Sequence, residues 1–435
     1  MTNLYILMLM YLAYAAISLW LFNYNLLSPS VVFSSSLAGM LCLAYYAANY
    51  MDMLFAINFR TFSIFAFAGF VFIAAEFLVY AGHTVNMSRK NSLDVPAKPE
   101  PLFIHRQIQG LTVVLMSVSC VIALIVLYLN TGGGSFSARI KVYKEILLYH
   151  HEDLKLHFIT AQLYKINIII ADLFGYVLVY NMTVCNIPAR KLIGYIASVV
   201  LYIVFSVIYT GARQSAVEII LFLMMIYVVL NMKPGEKKKI YLFIIKIIPI
   251  LLLIASIFTV AGTFVGRAKT YKSNFQNLTE YICGGLYSFN IHIDEGASTK
   301  IFGQFSLSFV YAVFQNMGLM SREYAMRTGD FDMYGNTVSV FGRWYRDFDA
   351  IGVFIITGIV SMLYSLFFYK KIIYSANRNK EHHLARIFYC QFMTSLIWAG
   401  YDDRISALLT VQSIVFIMLT TILYKILITD KFKLI

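Results

Sequence analysis

The chain has 435 residues, 60% hydrophobic and 13% charged, with a mean hydropathy of +0.71. That excludes a soluble globular protein and places the chain in lipid. The formal net charge of +13 does not read as nucleic-acid binding, because the basic residues crowd into short joints between apolar runs.

A helix needs about twenty apolar residues to cross a hydrocarbon core of roughly 30 Å, with its backbone groups paired inside the segment. Runs of that kind lie at 4–22, 31–50, 61–81, 109–129, 160–182, 192–210, 214–231, 240–262, 350–369, 384–400 and 405–427. None shows the in-out alternation of a membrane barrel. The sequence therefore predicts an all-α polytopic integral membrane protein with about eleven transmembrane helices. The first run has no basic flank or small-residue cleavage site and reads as a retained span.

Charge sets the expected orientation. The joint MKPGEKKKI at 232–240 has four lysines against Glu236, and the joint at 370–386 has five basic residues against Glu381. Both read as cytoplasmic, as do the 82–108 joint and Ala189-Arg190-Lys191. Counting spans from these anchors puts 130–157, 211–213, 266–349 and 401–404 on the opposite face. The chain then divides into helices one to eight over 1–265, an extracytoplasmic loop at 266–349 and helices nine to eleven over 350–435.

In chain order, the first feature outside a span is a segment near 134–150, where Ile140, Tyr143 and Leu147 recur at helical spacing. It reads as a helix lying in the outer interface. His150 and His151 beside Glu152 and Asp153 lack a second ligand cluster, so no metal site is indicated. The five cysteines lie far apart, and no cofactor motif is present.

Charges inside spans are expensive and usually face an interior cavity. Lys165 and Asp172, seven residues apart, share a face of the fifth span, although Lys165 also reads as interfacial. Glu76 and Glu218 are equally open, and Lys246 reads as snorkelling. Arg213, at the mouth of the seventh span, offers the planar donor fork that suits a phosphate.

The loop from Gly266 to Asp349 is the only long polar interval, with eight basic and eight acidic residues, and is where chemistry is expected. Arg267, Lys269 and Lys272 open it, and such cations could neutralise a diphosphate without metal. Two apolar stretches, 281–290 and 302–318, are too short or glycine-rich to span and read as re-entrant. His292 with Asp294 and Glu295 is an acid/base candidate. The run GRWYRDFD at 342–349 carries Arg343, Tyr345, Arg346, Asp347 and Asp349, with Asn336 and Thr337 as candidate caps ahead of it. There arginines can hold phosphate or sugar while a carboxylate accepts a proton, or arginine and aspartate can simply pair. Asp402, Asp403 and Arg404 fill a tight outer joint that is either topological or a second acidic site. Among the tyrosines, Tyr271, Tyr281, Tyr287 and Tyr345 stand out by their company as sugar-stacking candidates.

The order of these pieces resembles the oligosaccharide repeat unit polymerase family, the Wzy-type O-antigen and capsule polymerases. The pieces are TGARQSAVEIILFL at 210–223, GRAKTY at 266–271, YICGGLYSFN at 281–290, FGQFSLSFVYAVFQNMG at 302–318 and NTVSVFGRWYRDFDAIGVF at 336–354. Coverage is best over 200–370, and each motif is weak alone. Where many members have aspartate, aromatic and glycine, this chain has Asp347-Phe348-Asp349, and no Arg-x10-Gly loop motif is found. The resemblance implies a GT-C-like, metal-independent glycosyltransferase of the bacterial inner membrane, with its active site facing the periplasm. It would transfer a growing glycan from undecaprenyl diphosphate to the terminal sugar of another undecaprenyl-diphosphate-linked unit. A chain-length regulator and a flippase would be its partners, and nucleic acid would not. In that reading Arg213, Arg267 and either Arg343 or Arg346 bind the diphosphate, Lys269 belongs to the substrate-binding set, and Asp347 or His292 activates the acceptor. Tyr281, Tyr287 and Tyr345 contact sugar. The competing expectations are an O-antigen ligase and a flippase or transporter of lipid-linked sugar.

Overall fold

Apolar runs that cannot pair their backbone with water close their hydrogen bonds internally, so helices carry the fold. The structure, a computed structural model, describes residues 1–51, 56–88, 99–149, 154–211, 214–231, 274–295, 301–320, 338–373 and 382–428, with positions 245, 249 and 256. Among these residues there are helices and turns and no strand.

The first four helices are α1 (Thr2–Leu21), α2 (Pro29–Tyr50), α3 (Phe59–Ser88) and α4 (Arg106–Asn130). Next come α5 (Phe136–Tyr149), α6 (His157–Thr183), α7 (Ile193–Thr210) and α8 (Gln214–Asn231). The loop contributes α9 (Asn274–His292) and α10 (Ser308–Asn316). The chain ends with α11 (Val340–Phe367), α12 (His383–Trp398), α13 (Arg404–Ala407) and α14 (Val411–Leu427). Eight of the helices are long and apolar enough to cross a membrane: α1 to α4, α6, α7 with its preceding turn, α8, and α11 with the π-helical turn at Phe368–Ile373. Of the other expected spans, 384–400 corresponds to the 16-residue α12 and 405–427 to the shorter apolar α14. The expected span at 240–262 lies almost wholly outside the described residues.

Helix ends show which joints share a face. Asn3 Nδ2 donates to the Ile57 carbonyl, Asn290 Oδ1 accepts from Asn58 N, and Val340 N donates to the Ala399 carbonyl. The chain start, the 56–58 joint, the end of α9, the start of α11 and the 399–403 joint therefore lie at one end, here the loop end. At the far end, Asn181 and Leu102 exchange two hydrogen bonds and Tyr195 OH accepts from Ile104 N. Arg190, Lys191, Lys370, Lys371 and Arg386 sit on this far end. The buried Glu76 carboxylate there accepts from Ser28 Oγ, Ser30 N and Tyr369 OH at 2.6–2.8 Å. Those donors stabilise an acid that would otherwise be costly to bury, and they make Glu76 a structural tie between α2, α3 and the end of α11.

In lipid, helices associate by close packing and interhelical hydrogen bonds rather than by expelling water. Phe33 stacks on Phe72 at 4.2 Å, Phe65 meets Phe341 edge-on at 4.7 Å, and Ser361 Oγ donates to the Phe72 carbonyl. These contacts clamp α2, α3 and α11. The expected interfacial helix is α5, whose Ile140 and Tyr143 are buried against Phe205, Ile208 and Tyr209.

The stretch expected to be a short re-entrant piece at 281–290 is the middle of the 19-residue α9. Phe275 near one end meets Tyr46 and Asn290 near the other meets Asn58, whereas Cys283 reaches Met40 halfway along α2. The helix thus lies across the loop end and dips into the bundle. α11 is broken at Asp349, which has φ 57° and ψ −170°. Residues 340–348 form a separate stretch of helix ahead of the break.

Candidate functional site

The polar run at 342–349 divides between two neighbours, the 402–404 joint and the side of α9 and Phe305, because helical turning separates its side chains. Arg343 points to the 402–404 joint, where its Nε lies 3.8 Å from Asp403 Oδ2. The Asp403 side chain is fully buried, and its Oδ1 accepts from Ser406 N as the cap of α13. Burial pushes the Asp403 carboxyl above the usual aspartate range, opposed by the Arg343 charge and by the hydrogen bonding of Ser406.

Tyr345 and Arg346 face the other way, toward α9. With Ser288, Phe289, His292 and Gly342 they line a cavity of only about 10 Å3. The Arg346 guanidinium lies 5.5 Å from the Phe305 ring centre and is buried. Arg60 sits 5.8 Å from the Tyr345 ring and 4.0 Å from Asp294. Both partners of that ion pair are exposed, so it contributes little.

Asp347 reaches the same 305–306 turn that Arg346 lies over. Its oxygens accept from Phe305 N at 3.0 and 3.2 Å and from Ser306 N at 2.6 Å. The carboxylate thereby ties the 301–307 turn to α11, and its lone pairs are directed at backbone. Of the remaining expected site residues, Tyr281 packs on Tyr401 at 4.7 Å, and Tyr401 on Trp398 at 5.2 Å. Burial, and then the neighbouring Tyr281, pushes the Tyr401 hydroxyl well above the ordinary tyrosine range. Tyr287 is half-buried against the main core. Arg213, Arg267, Lys269, Tyr271, Lys272, Asn336, Thr337, Lys246 and the 150–153 acid-histidine run lie outside the described residues.

A charged network at the loop end, with a cavity beside it, was not assembled from the sequence. Arg404 Nη2 lies 3.7 Å from Glu218 Oε1, and Arg404 Nε lies 2.9 Å from Asp402 Oδ2. Gln214 Nε2 donates to the same Glu218 Oε1 at 2.9 Å. Beside this network is a cavity of about 380 Å3 between α6, α8, α12, α13 and α14. Its polar wall holds Lys165, Glu218, Gln391, Arg404, Gln412 and Ser413, with Tyr164 and Trp398 at its side. Its apolar wall is Ile168, Ile169, Val415, Phe416 and Leu419. Leu419 is eight residues into α14, roughly 12 Å below the start of that helix. The cavity therefore joins a charged mouth at the loop end to a deeper lining in which Lys165 and Gln391 stand among apolar side chains. Lys165 lines this cavity, eight residues into α6. Asp172, seven residues deeper on α6, is buried and held by Gln391 Nε2 at 2.7 Å.

Each ingredient had a signal in the sequence: an acid inside the seventh span, a lysine inside the fifth, and a charged joint at 402–404. Their meeting did not, because the chain separates them widely. Among the described residues no group of three or more His, Cys, Asp or Glu is placed to hold a metal ion. No family model matches the chain, no curated protein matches it, and no solved structure matches it.

Proposed function

We propose that the chain is a bacterial inner-membrane glycosyltransferase that polymerises undecaprenyl-diphosphate-linked oligosaccharide units, for O-antigen or capsule. The full span count of eleven, the GT-C-like arrangement and a periplasmic loop end belong to this proposal. The observation that carries it is the cavity of about 380 Å3, in which Lys165 and Arg404 border an apolar wall that descends α6 and α14. A prenyl diphosphate pairs the same two chemistries, an anionic head and a hydrocarbon tail. Cations can stabilise the departing diphosphate electrostatically, without a nucleotide site or metal.

The order of motifs over 200–370 supports the same reading, since Arg213 directly precedes Gln214, whose amide contacts Glu218. Arg213, Arg267 and Lys269 complete the diphosphate set in this proposal. Arg343 supports it from the Asp403 side, and the Tyr281-Tyr401-Trp398 group offers flat faces for sugar. The concentration of Lys165, Asp172 and Glu218 within spans favours one second reading, a transporter of lipid-linked sugar.

The test is to supply purified protein in detergent with lipid-linked repeat units and to resolve the products by size. A ladder of longer lipid-linked glycans is expected. Folded protein that yields no ladder removes the polymerase. Transfer to a different lipid acceptor identifies a ligase, and movement across vesicles without chemistry identifies a transporter.

A further inference from the structure

We infer that Glu218 is the general base that takes the proton from the attacking sugar hydroxyl, an assignment that rests on the glycosyltransferase reading above. Asp347 and His292 are the acid/base candidates from the sequence, and geometry separates them from Glu218. The Asp347 oxygens accept three contacts from the backbone N–H groups of Phe305 and Ser306, so the carboxylate is engaged in holding a turn. His292 borders a cavity of about 10 Å3, barely the room of one water molecule and far below a sugar ring. Glu218 borders about 380 Å3.

Glu218 is also held as a base should be. Arg404 Nη2 and Gln214 Nε2 both contact Oε1, at 3.7 and 2.9 Å, and among the described residues no donor is assigned to Oε2. One oxygen is anchored and the other is left for a ligand. The Glu218 side chain is 29% exposed, partly desolvated yet reachable. Lys165 and Arg404 line the same cavity, so a diphosphate bound to them sets the donor's anomeric carbon near Glu218.

The step balances without a further reactant. The acceptor hydroxyl oxygen bonds to the donor's anomeric carbon as the bond from that carbon to the diphosphate oxygen breaks. The bonding electron pair leaves on the prenyl diphosphate. The hydroxyl proton goes to Glu218 Oε2, and from there to the released diphosphate or to water.

The experiment compares the wild type with Glu218→Gln, Glu218→Asp and Glu218→Ala in the chain-extension assay, each checked for normal thermal unfolding in detergent. Glu218→Gln keeps an acceptor for Arg404 but cannot take a proton. Its kcat should fall roughly 100-fold or more with donor KM nearly unchanged. Glu218→Asp should restore part of the rate, and added formate should restore part of the rate of Glu218→Ala. Glu218→Gln at wild-type rate overturns the assignment. A loss seen only in KM, or one that neither aspartate nor formate relieves, assigns Glu218 to positioning Arg404 and also overturns it. A wild type that extends nothing overturns the parent reading and this base with it. An active wild type beside an equally active Glu218→Gln overturns the base alone.

Discussion

Gly285 and Tyr401 touch through backbone: a Cβ built on Gly285 would lie 2.5 Å from the Tyr401 carbonyl oxygen, and 2.9 Å from Ser339 N. Here α9, the 399–403 joint and the start of α11 meet with no room for a side chain. Because the obstructing atoms are backbone, they cannot swing aside as a flexible side chain would. Gly285→Ala should push α9 away from the joint that positions Asp403 and Arg404. The expected cost is about 1–3 kcal/mol, the usual range for overpacking, with activity lost at temperatures where the protein remains folded. Thermal unfolding in detergent checks the first outcome and chain extension the second. An alanine variant with wild-type stability would remove this contact as a constraint.

Asp347 should behave as a brace. Removing its carboxylate leaves two buried N–H groups, those of Phe305 and Ser306, without their acceptor. Unsatisfied buried groups cost about 1–3 kcal/mol, so Asp347→Ala should loosen the 301–307 turn and lower stability. Limited proteolysis should show earlier cleavage there. Asp347→Asn keeps an oxygen acceptor and should retain most of the activity, which an essential base could not. A complete loss of turnover in a stably folded Asp347→Asn would reverse this assignment.

Asp403 gives a pH dependence whose sign follows from its burial. Its carboxyl in the folded protein holds a proton more tightly than in the unfolded chain, since burial outweighs the help from Arg343 and Ser406. The folded state then carries the extra proton, and stability falls as pH rises from the ordinary aspartate range, about 3.9, to the raised folded value. Below that window the contribution is fully present. Asp403→Asn should flatten this part of the stability curve while keeping an acceptor for Ser406 N. Unfolding midpoints measured across the acidic range would show it, and an unchanged slope would contradict it.

Much of this arrangement was legible in the sequence because lipid imposes a simple rule. Apolar runs long enough to cross must be helices, so α1 to α4, α6 to α8 and α11 fall close to the expected spans. The non-helical backbone at Asp349 inside α11 was not announced by the sequence. A φ of 57° with ψ near −170° is a conformation that suits glycine. The site was less legible, for two reasons. Closeness in sequence suggested that Arg343, Tyr345, Arg346 and Asp347 act together, whereas helical turning sends Arg343 to Asp403 and leaves Arg346 and Asp347 at Phe305. The pairing of Glu218 with Arg404 joins α8 to α13 across the fold, and nothing local announces it. Arg213, Arg267 and Lys269 lie outside the described residues, so their expected part in the site stands on the motifs alone.

Lys165 and Arg404 differ in how much each should matter to a bound diphosphate. Arg404 is already engaged by Glu218 at 3.7 Å and Asp402 at 2.9 Å, so an incoming anion must compete with two carboxylates for it. Lys165 lines the cavity from α6, with no ion pair among the described residues. A charge-assisted hydrogen bond contributes about 1.5–3 kcal/mol, and each 1.4 kcal/mol is roughly tenfold in affinity. Lys165→Ala should therefore weaken donor binding by roughly tenfold to a hundredfold with little effect on folding. Arg404→Ala should weaken it too, but should also destabilise the protein, because Glu218 and Asp402 lose their shared cation. Binding of a non-transferable prenyl diphosphate to each single variant and to the pair separates the two effects. Coupling between the substitutions is expected if both cations touch one ligand. Strictly additive losses, or donor binding unchanged in Lys165→Ala, would move the anion site out of this cavity.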